Sequence, residues 1–153
     1  MCGVQTWADP WLPSLFLLTQ VMSARAPTAV GEAGWVVLDS GLKAQSTDSG
    51  SGVVVCTADE FAASGRCPPW DAAQGAFRSS VGHLVVVGVS DEHSKVVARE
   101  GSHETAFLPP VGTKVMLMPG HCDPFVNHYD WLVAVDGGSV AAVWRLGARS
   151  PGL

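Results

Sequence analysis

Apolar and polar positions along this chain sort into short runs rather than long helical faces. From Val81 onward the runs recur at close intervals, each closed by turn-forming residues, which predicts strands over 83–89, 95–99, 114–118, 131–135 and 139–145. Asp136-Gly137-Gly138 between the last two is a short hairpin signal, and 90–94 is a second turn. Earlier, β-branched runs at 34–38 and 53–56 predict two more strands. Residues 14–24 are strongly apolar, and at that length periodicity does not separate a buried strand from a short helix. Residues 1–13 read as an irregular lead-in, and 39–52 as a polar, turn-rich stretch. Between 57 and 80 a loop-like segment holds one short helix over 59–63 and another near Asp71, with Pro68-Pro69 preventing a continuous one. The fold class expected is mainly β: a small barrel or sandwich with short helices.

Composition narrows the picture. At 153 residues, 47% apolar and 15% charged, the chain is long and apolar enough to bury a core and does not read as disordered. A net charge of -5 with nine basic residues argues against a nucleic-acid partner, because little would neutralise phosphates. No apolar run approaches the ~20 residues that cross a bilayer. Residues 12–21 are apolar and Ser23-Ala24-Arg25-Ala26 has the small residues of a cleavage site, but no basic residue precedes Asp9, so the segment is read as part of the fold. The expectation is a soluble chain, cytoplasmic or organellar. Cys2, Cys56, Cys67 and Cys122 show no CxxC spacing and are expected as reduced thiols, although Cys56 and Cys67 flank a loop that an oxidising compartment would let them bridge.

The chemistry concentrates between two predicted strands, where His121, Cys122, Asp123 and His128 crowd one polar hinge. In an extended chain His121 and Asp123 point to the same face and Cys122 to the other. An imidazole nitrogen and a carboxylate oxygen then converge on one divalent cation, manganese, magnesium or zinc, with positions left for water or substrate. Spacing alone favours the plainer reading, in which the pair caps a turn. Lys43, among the small residues of 39–50 with Asp48, reads as a solvated loop lysine rather than a Schiff-base former, and Asp91-Glu92-His93 as a solvated turn. His83, His103 and His128 have no evident partner in the sequence. Nothing matches a phosphate loop or a nucleophile elbow.

The residues also carry a resemblance. Asp39-Ser40-Gly41-Leu42-Lys43-Ala44 followed by Ser46-Thr47-Asp48-Ser49-Gly50 resembles the DAGLKALSxDSG segment of D-threonine aldolases and their D-serine dehydratase-like relatives. Ser90-Asp91-Glu92-His93 is similar to their SDEHG, and Pro119-Gly120-His121-Cys122-Asp123-Pro124-Phe125-Val126-Asn127 with Tyr129-Asp130 to their PxHCDPTVNxYD metal motif. Val143-Trp144-Arg145 with Ala148-Arg149 resembles their closing strand. The order and spacing hold over 14–150. Two positions depart: Phe125 stands for a threonine and is expected to crowd the pocket, and Ser94 stands for a glycine. The segment 57–80 carries none of these motifs and reads as an insertion.

The resemblance implies the C-terminal β domain of a fold-type III pyridoxal phosphate enzyme, with 1–30 as the end of a (β/α)8 barrel and 31–153 as the β domain. The barrel would carry pyridoxal phosphate on a lysine that Lys43 does not match, so the cofactor is expected only through a domain absent from this chain. The metal ligands map onto His121 and Asp123; an aspartate at the second position leans toward the aldolase, whose relatives use cysteine there. The implied reaction is retro-aldol cleavage of a β-hydroxy-D-amino acid to glycine and an aldehyde, with the isolated chain inactive and dependent on a barrel domain or subunit. The alternatives are a D-serine dehydratase-like domain, a non-catalytic binding module, and a free-standing metal-dependent hydrolase.

Overall fold

Buried and solvent-facing side chains alternate along the strands and build the main sheet. The computed structural model describes residues 13–28, 32–100, 107–136 and 138–147. Its elements in order are β1 (Leu17–Arg25), β2 (Trp35–Leu38), β3 (Val53–Thr57), α1 (Ala58–Ser64), β4 (Trp70–Asp71), β5 (Ala76–Phe77), β6 (Leu84–Val89), β7 (Ser94–Ala98), β8 (Lys114–Met118), α2 (Cys122–Val126), β9 (Trp131–Asp136) and β10 (Ser139–Arg145). Most of the expected lead-in, together with Cys2, His103 and the Ala148-Arg149 pair, lies outside the described residues. The fold is mainly β, as expected.

The main sheet has six strands in the order β3-β8-β1-β2-β7-β6, every neighbouring pair antiparallel. Register shifts at Val21/Ser23, Val54/Cys56 and Val86/Gly88 mark bulges, which bend strands and raise their twist. The sheet curls into a half-barrel, and its edge strands β3 and β6 touch. Val21, Val36, Leu38, Val54, Leu84, Val96, Val115 and Leu117 pack together in its main core. The ambiguous apolar run at 14–24 resolves as strand: β1 lies between β8 and β2, with Leu17 opposite Leu117 and Val21 opposite Leu38. It falls within the segment expected to end a barrel, yet it pairs on both sides with strands of the β domain.

The bulge in β3 has a packing consequence. Val54 joins the main core, while Val55 and Cys56 both face a second cluster with Cys67 and Phe77. That cluster lies under the 57–80 segment. The helix expected there is α1, whose Thr57 and Glu60 form a reciprocal cap and whose chain ends at Gly65 in the left-handed region (φ 66°). The second helix expected near Asp71 is instead the β4–β5 hairpin, held by an edge-on Trp70–Phe77 contact at 5.1 Å between ring centroids. A half-buried Trp70 ring packed edge-on against the buried Phe77 across the hairpin outweighs the weak local helix signal.

β9 and β10 form a separate two-stranded sheet. Trp131, Val133 and Val135 alternate along β9, and Val143 lies opposite Val133; all four are exposed. Their side chains share one face of the hairpin.

Candidate metal centre

The hinge after β8 is not extended throughout. His121 is extended (φ -144°, ψ 121°), but Cys122–Val126 form α2, with Asp123 in its first turn. Pro124 is tolerated there because the first helical turn needs no amide hydrogens. This corrects the expected geometry. The side chains of His121 and Asp123 meet across a helix start, with Nε2 3.9 Å from Asp123 Oδ2. Cys122 does not point away: its exposed thiol donates to Asp123 Oδ1 at 3.6 Å. Phe125 does not crowd an open pocket either, being buried beneath α2 with its ring centroid 5.3 Å from that of Tyr129.

The plainer reading of His121 as a cap is not what the structure shows, since its side chain makes no capping hydrogen bond. Its Nδ1 lies 2.9 Å from Asp48 Oδ2 instead. Asp48 comes from the loop between β2 and β3, and sequence reasoning assigned it no role. Two further contacts join that loop to the hinge. Tyr129 Oη donates to the Ala44 carbonyl at 2.6 Å, and Gly120 lies so close to the Gly50 carbonyl that a Cβ would collide with it. Burial, with the nearby Asp39 adding to it, raises the Tyr129 hydroxyl above its ordinary value, so it stays a donor at neutral pH.

The loop has its own internal support. Gln45 is buried; its Nε2 donates to the Ser40 carbonyl at 3.0 Å and to Ser94 Oγ at 2.8 Å, and its Oε1 accepts from the Gly52 amide at 3.2 Å. Ser94, one of the two departures from the family pattern, thus supplies a hydroxyl that accepts from Gln45 and donates to the Ser40 carbonyl. Asp39 Oδ1 accepts from Thr19 Oγ1 at 2.6 Å and from the Gln20 amide at 2.8 Å, tying the start of the loop to β1.

The remaining sequence candidates fall away from the hinge. Lys43 pairs with Glu92, both exposed, which joins the 39–50 stretch to the Asp91-Glu92-His93 turn in one surface ion pair. His83 Nε2 lies 3.1 Å from the Phe107 carbonyl. Cys56, Cys67 and Cys122 are free thiols, as expected of a reduced chain. Burial pushes the Cys56 thiol up to about 12, with Cys67 and Glu60 beside it adding, and burial pushes Cys67 up to about 11. Neither is a nucleophile at neutral pH. Among the described residues no group of three or more His, Cys, Asp and Glu side chains is arranged to hold a metal, and no helix is long and apolar enough to cross a membrane.

Fold and hinge together define a curled β domain that presents a histidine–aspartate pair on a loop braced by a second loop. Residues 14–135 match the family described as "Putative serine dehydratase domain", and the chain belongs to that family. The chain is 34% identical over 142 residues to 3-hydroxy-D-aspartate aldolase of Paracoccus denitrificans, covering 93% of this chain and 27% of that one. It is 31% identical over 149 residues to D-threonine aldolase of an Arthrobacter species, covering 96% of this chain and 30% of that one. Among solved structures, D-threonine aldolase of Filomicrobium marinum superposes with a TM-score of 0.58 at 29% identity, over 88% of this chain and 28% of that one. D-threo-3-hydroxyaspartate dehydratase of a Delftia species shares the fold, with a TM-score of 0.55 over 86% of this chain and 31% of that one. The chain therefore spans less than a third of these relatives' length.

Proposed function

We propose that this chain is the metal-binding β domain of a lyase of the D-threonine aldolase type, working with a (β/α)8 barrel that carries pyridoxal phosphate. The observation that carries the reading is the His121–Asp123 pair. A tetrahedral ion about 2.1 Å from a nitrogen and an oxygen holds them about 3.4 Å apart, and Nε2 and Oδ2, 3.9 Å apart, reach that separation by a small turn of the exposed Asp123 carboxylate. The donors present therefore fit one divalent ion, and a nitrogen–oxygen set suits manganese, magnesium or zinc. When bound, the ion would draw a substrate β-hydroxyl and lower its pKa.

The chain's own residues support a half-site. Two protein ligands hold a metal weakly without a substrate or a further group. Lys43, in the loop nearest the pair, is on the surface and paired with Glu92. The exposed apolar face of β9–β10 and the relatives' greater length support a partner domain. On this reading the isolated chain neither anchors the cofactor nor turns over β-hydroxy-D-amino acids. A dehydratase reading is favoured by the family's own description, and products separate the two: glycine and an aldehyde, or a 2-oxo acid and ammonia.

The test is manganese titration of the 153-residue chain. Weak binding that disappears in His121→Ala and Asp123→Ala supports the site, and binding unchanged in both variants sinks it. Glycine formed from D-threonine by the chain alone with added pyridoxal phosphate defeats the half-site. So does a borohydride-trapped adduct on one of its lysines.

A further inference from the structure

The geometry points to Asp48 as a positioning residue that fixes the imidazole of His121 for metal binding; this rests on the His121–Asp123 reading above. A ring nitrogen binds a cation only through its lone pair, so a ligating histidine must carry its proton on the other nitrogen. Asp48 Oδ2 lies 2.9 Å from His121 Nδ1, and an ionised carboxylate only accepts. Nδ1 therefore carries the proton. Nε2 is left with its lone pair, on the side of the ring where Asp123 Oδ2 lies at 3.9 Å. The two carboxylates lie at different nitrogens of one ring: Asp48 sets its tautomer and direction, and Asp123 shares its cation.

Asp48 is exposed, so the hydrogen bond alone would orient the ring weakly. What supports it is the backbone. The Gly50 amide donates to the Thr47 carbonyl at 3.0 Å, Ser49 (φ 64°) and Gly50 (φ 105°) turn the chain through the left-handed region, and the Asp48 amide donates to Ser46 Oγ at 3.1 Å. This turn packs against Gly120, next to His121, where there is no room for a side chain. The carboxylate is delivered to the imidazole by a rigid contact between two loops, 73 positions apart in sequence.

The experiment compares the unaltered chain with Asp48→Ala, Asp48→Glu, His121→Ala and Asp123→Ala. Manganese affinity is read by loss of the free-ion electron paramagnetic resonance signal. The His121 tautomer is read from long-range proton–nitrogen correlation spectra of the metal-free chain, above the ordinary titration range of imidazole. Asp48→Ala is expected to weaken manganese binding about 10- to 100-fold and to shift His121 from Nδ1-protonated toward the Nε2-protonated tautomer, with Asp48→Glu restoring part of both. A purely structural role for Asp48 would leave the tautomer unmoved. Affinity within twofold of the parent in Asp48→Ala, with binding abolished in His121→Ala, overturns the role of Asp48 and leaves the metal site standing. So does an Nε2-protonated ring in the parent. Binding indifferent to His121→Ala and Asp123→Ala overturns the site and the positioning role together.

Discussion

Replacing Gln45 by methionine keeps the volume of the side chain and removes all of its hydrogen bonds. Gln45 is 2% exposed, so neither its own polar atoms nor those it serves are near bulk water. The partners do not suffer equally. The Ser40 carbonyl keeps the Ser94 hydroxyl as a donor, and that hydroxyl keeps the carbonyl as an acceptor, whereas the Gly52 amide loses the Gln45 oxygen at 3.2 Å. A buried donor left without a partner costs about 1–3 kcal/mol, and each ordinary hydrogen bond lost about 1 kcal/mol more. Burying a thioether in place of an amide offsets part of this, so the expected loss is about 2–4 kcal/mol. That is a large share of the roughly 5–15 kcal/mol by which domains are stable. Urea unfolding followed by tryptophan fluorescence should show a lower midpoint at unchanged slope, because the surface exposed on unfolding is the same. Ser94→Ala should cost less, and the double variant less than the sum, since both changes act on one network. A Gln45→Met chain within about 0.5 kcal/mol of the parent, or one strictly additive with Ser94→Ala, would refute the reasoning that this amide braces the loop.

Other outcomes follow from the same geometry. Burial works against ionisation of Glu60, but hydrogen bonds from the Ser80 amide at 2.8 Å and the Thr57 amide at 2.9 Å outweigh it and hold its pKa below the ordinary value. A depressed acid stabilises the fold above its unfolded pKa and loses that contribution as pH falls through the folded one, so Glu60→Gln should flatten the acid limb of stability against pH. Ser40 Oγ is buried with no hydrogen-bond partner among the described residues, so Ser40→Ala should be neutral or stabilising by up to about 1–2 kcal/mol in the same urea assay. Of the thiols at Cys56, Cys67 and Cys122, only Cys122 should be alkylated in the folded chain at neutral pH, with the other two labelled after denaturation, as peptide mass mapping would show. Gly120→Ala should separate the two loops and weaken manganese binding although no polar group is removed; parent-like affinity in the titration would show that the loops need not touch.

Much of the sheet was legible because period-two burial leaves a local mark. β2 and β8 alternate buried and less buried positions along their length, and the β9–β10 hairpin announced itself by its turn. β4 and β5, at two residues each, are too short to carry any period, and tertiary packing of Trp70 on Phe77 decides them. The site was legible only as far as neighbours in sequence could show it. His121 and Asp123 stand two positions apart in the sequence; Asp48 and Ala44 reach the same hinge through the tertiary fold. Gln45 was missed for another reason: a glutamine in a polar loop reads as solvated, and only the geometry of Ser40, Gly52 and Ser94 makes it a core residue. The nearest available signal was that the loop and hinge motifs recur together in one family.

The position of β1 bears on how such a chain comes to be folded at all. This strand precedes every other strand of the main sheet in the chain, yet one of its two partners, β8, is made one hundred positions later, where Leu17 pairs with Leu117. Closing a loop of that length before any contact rewards it slows folding, and sheets dominated by distant pairings fold in milliseconds to seconds rather than microseconds. During synthesis β1 therefore has only β2 to pair with, and Leu17 and Leu18 have no strand opposite them until β8 emerges. The sheet is complete only once β8 has emerged, its first strand being finished by its last.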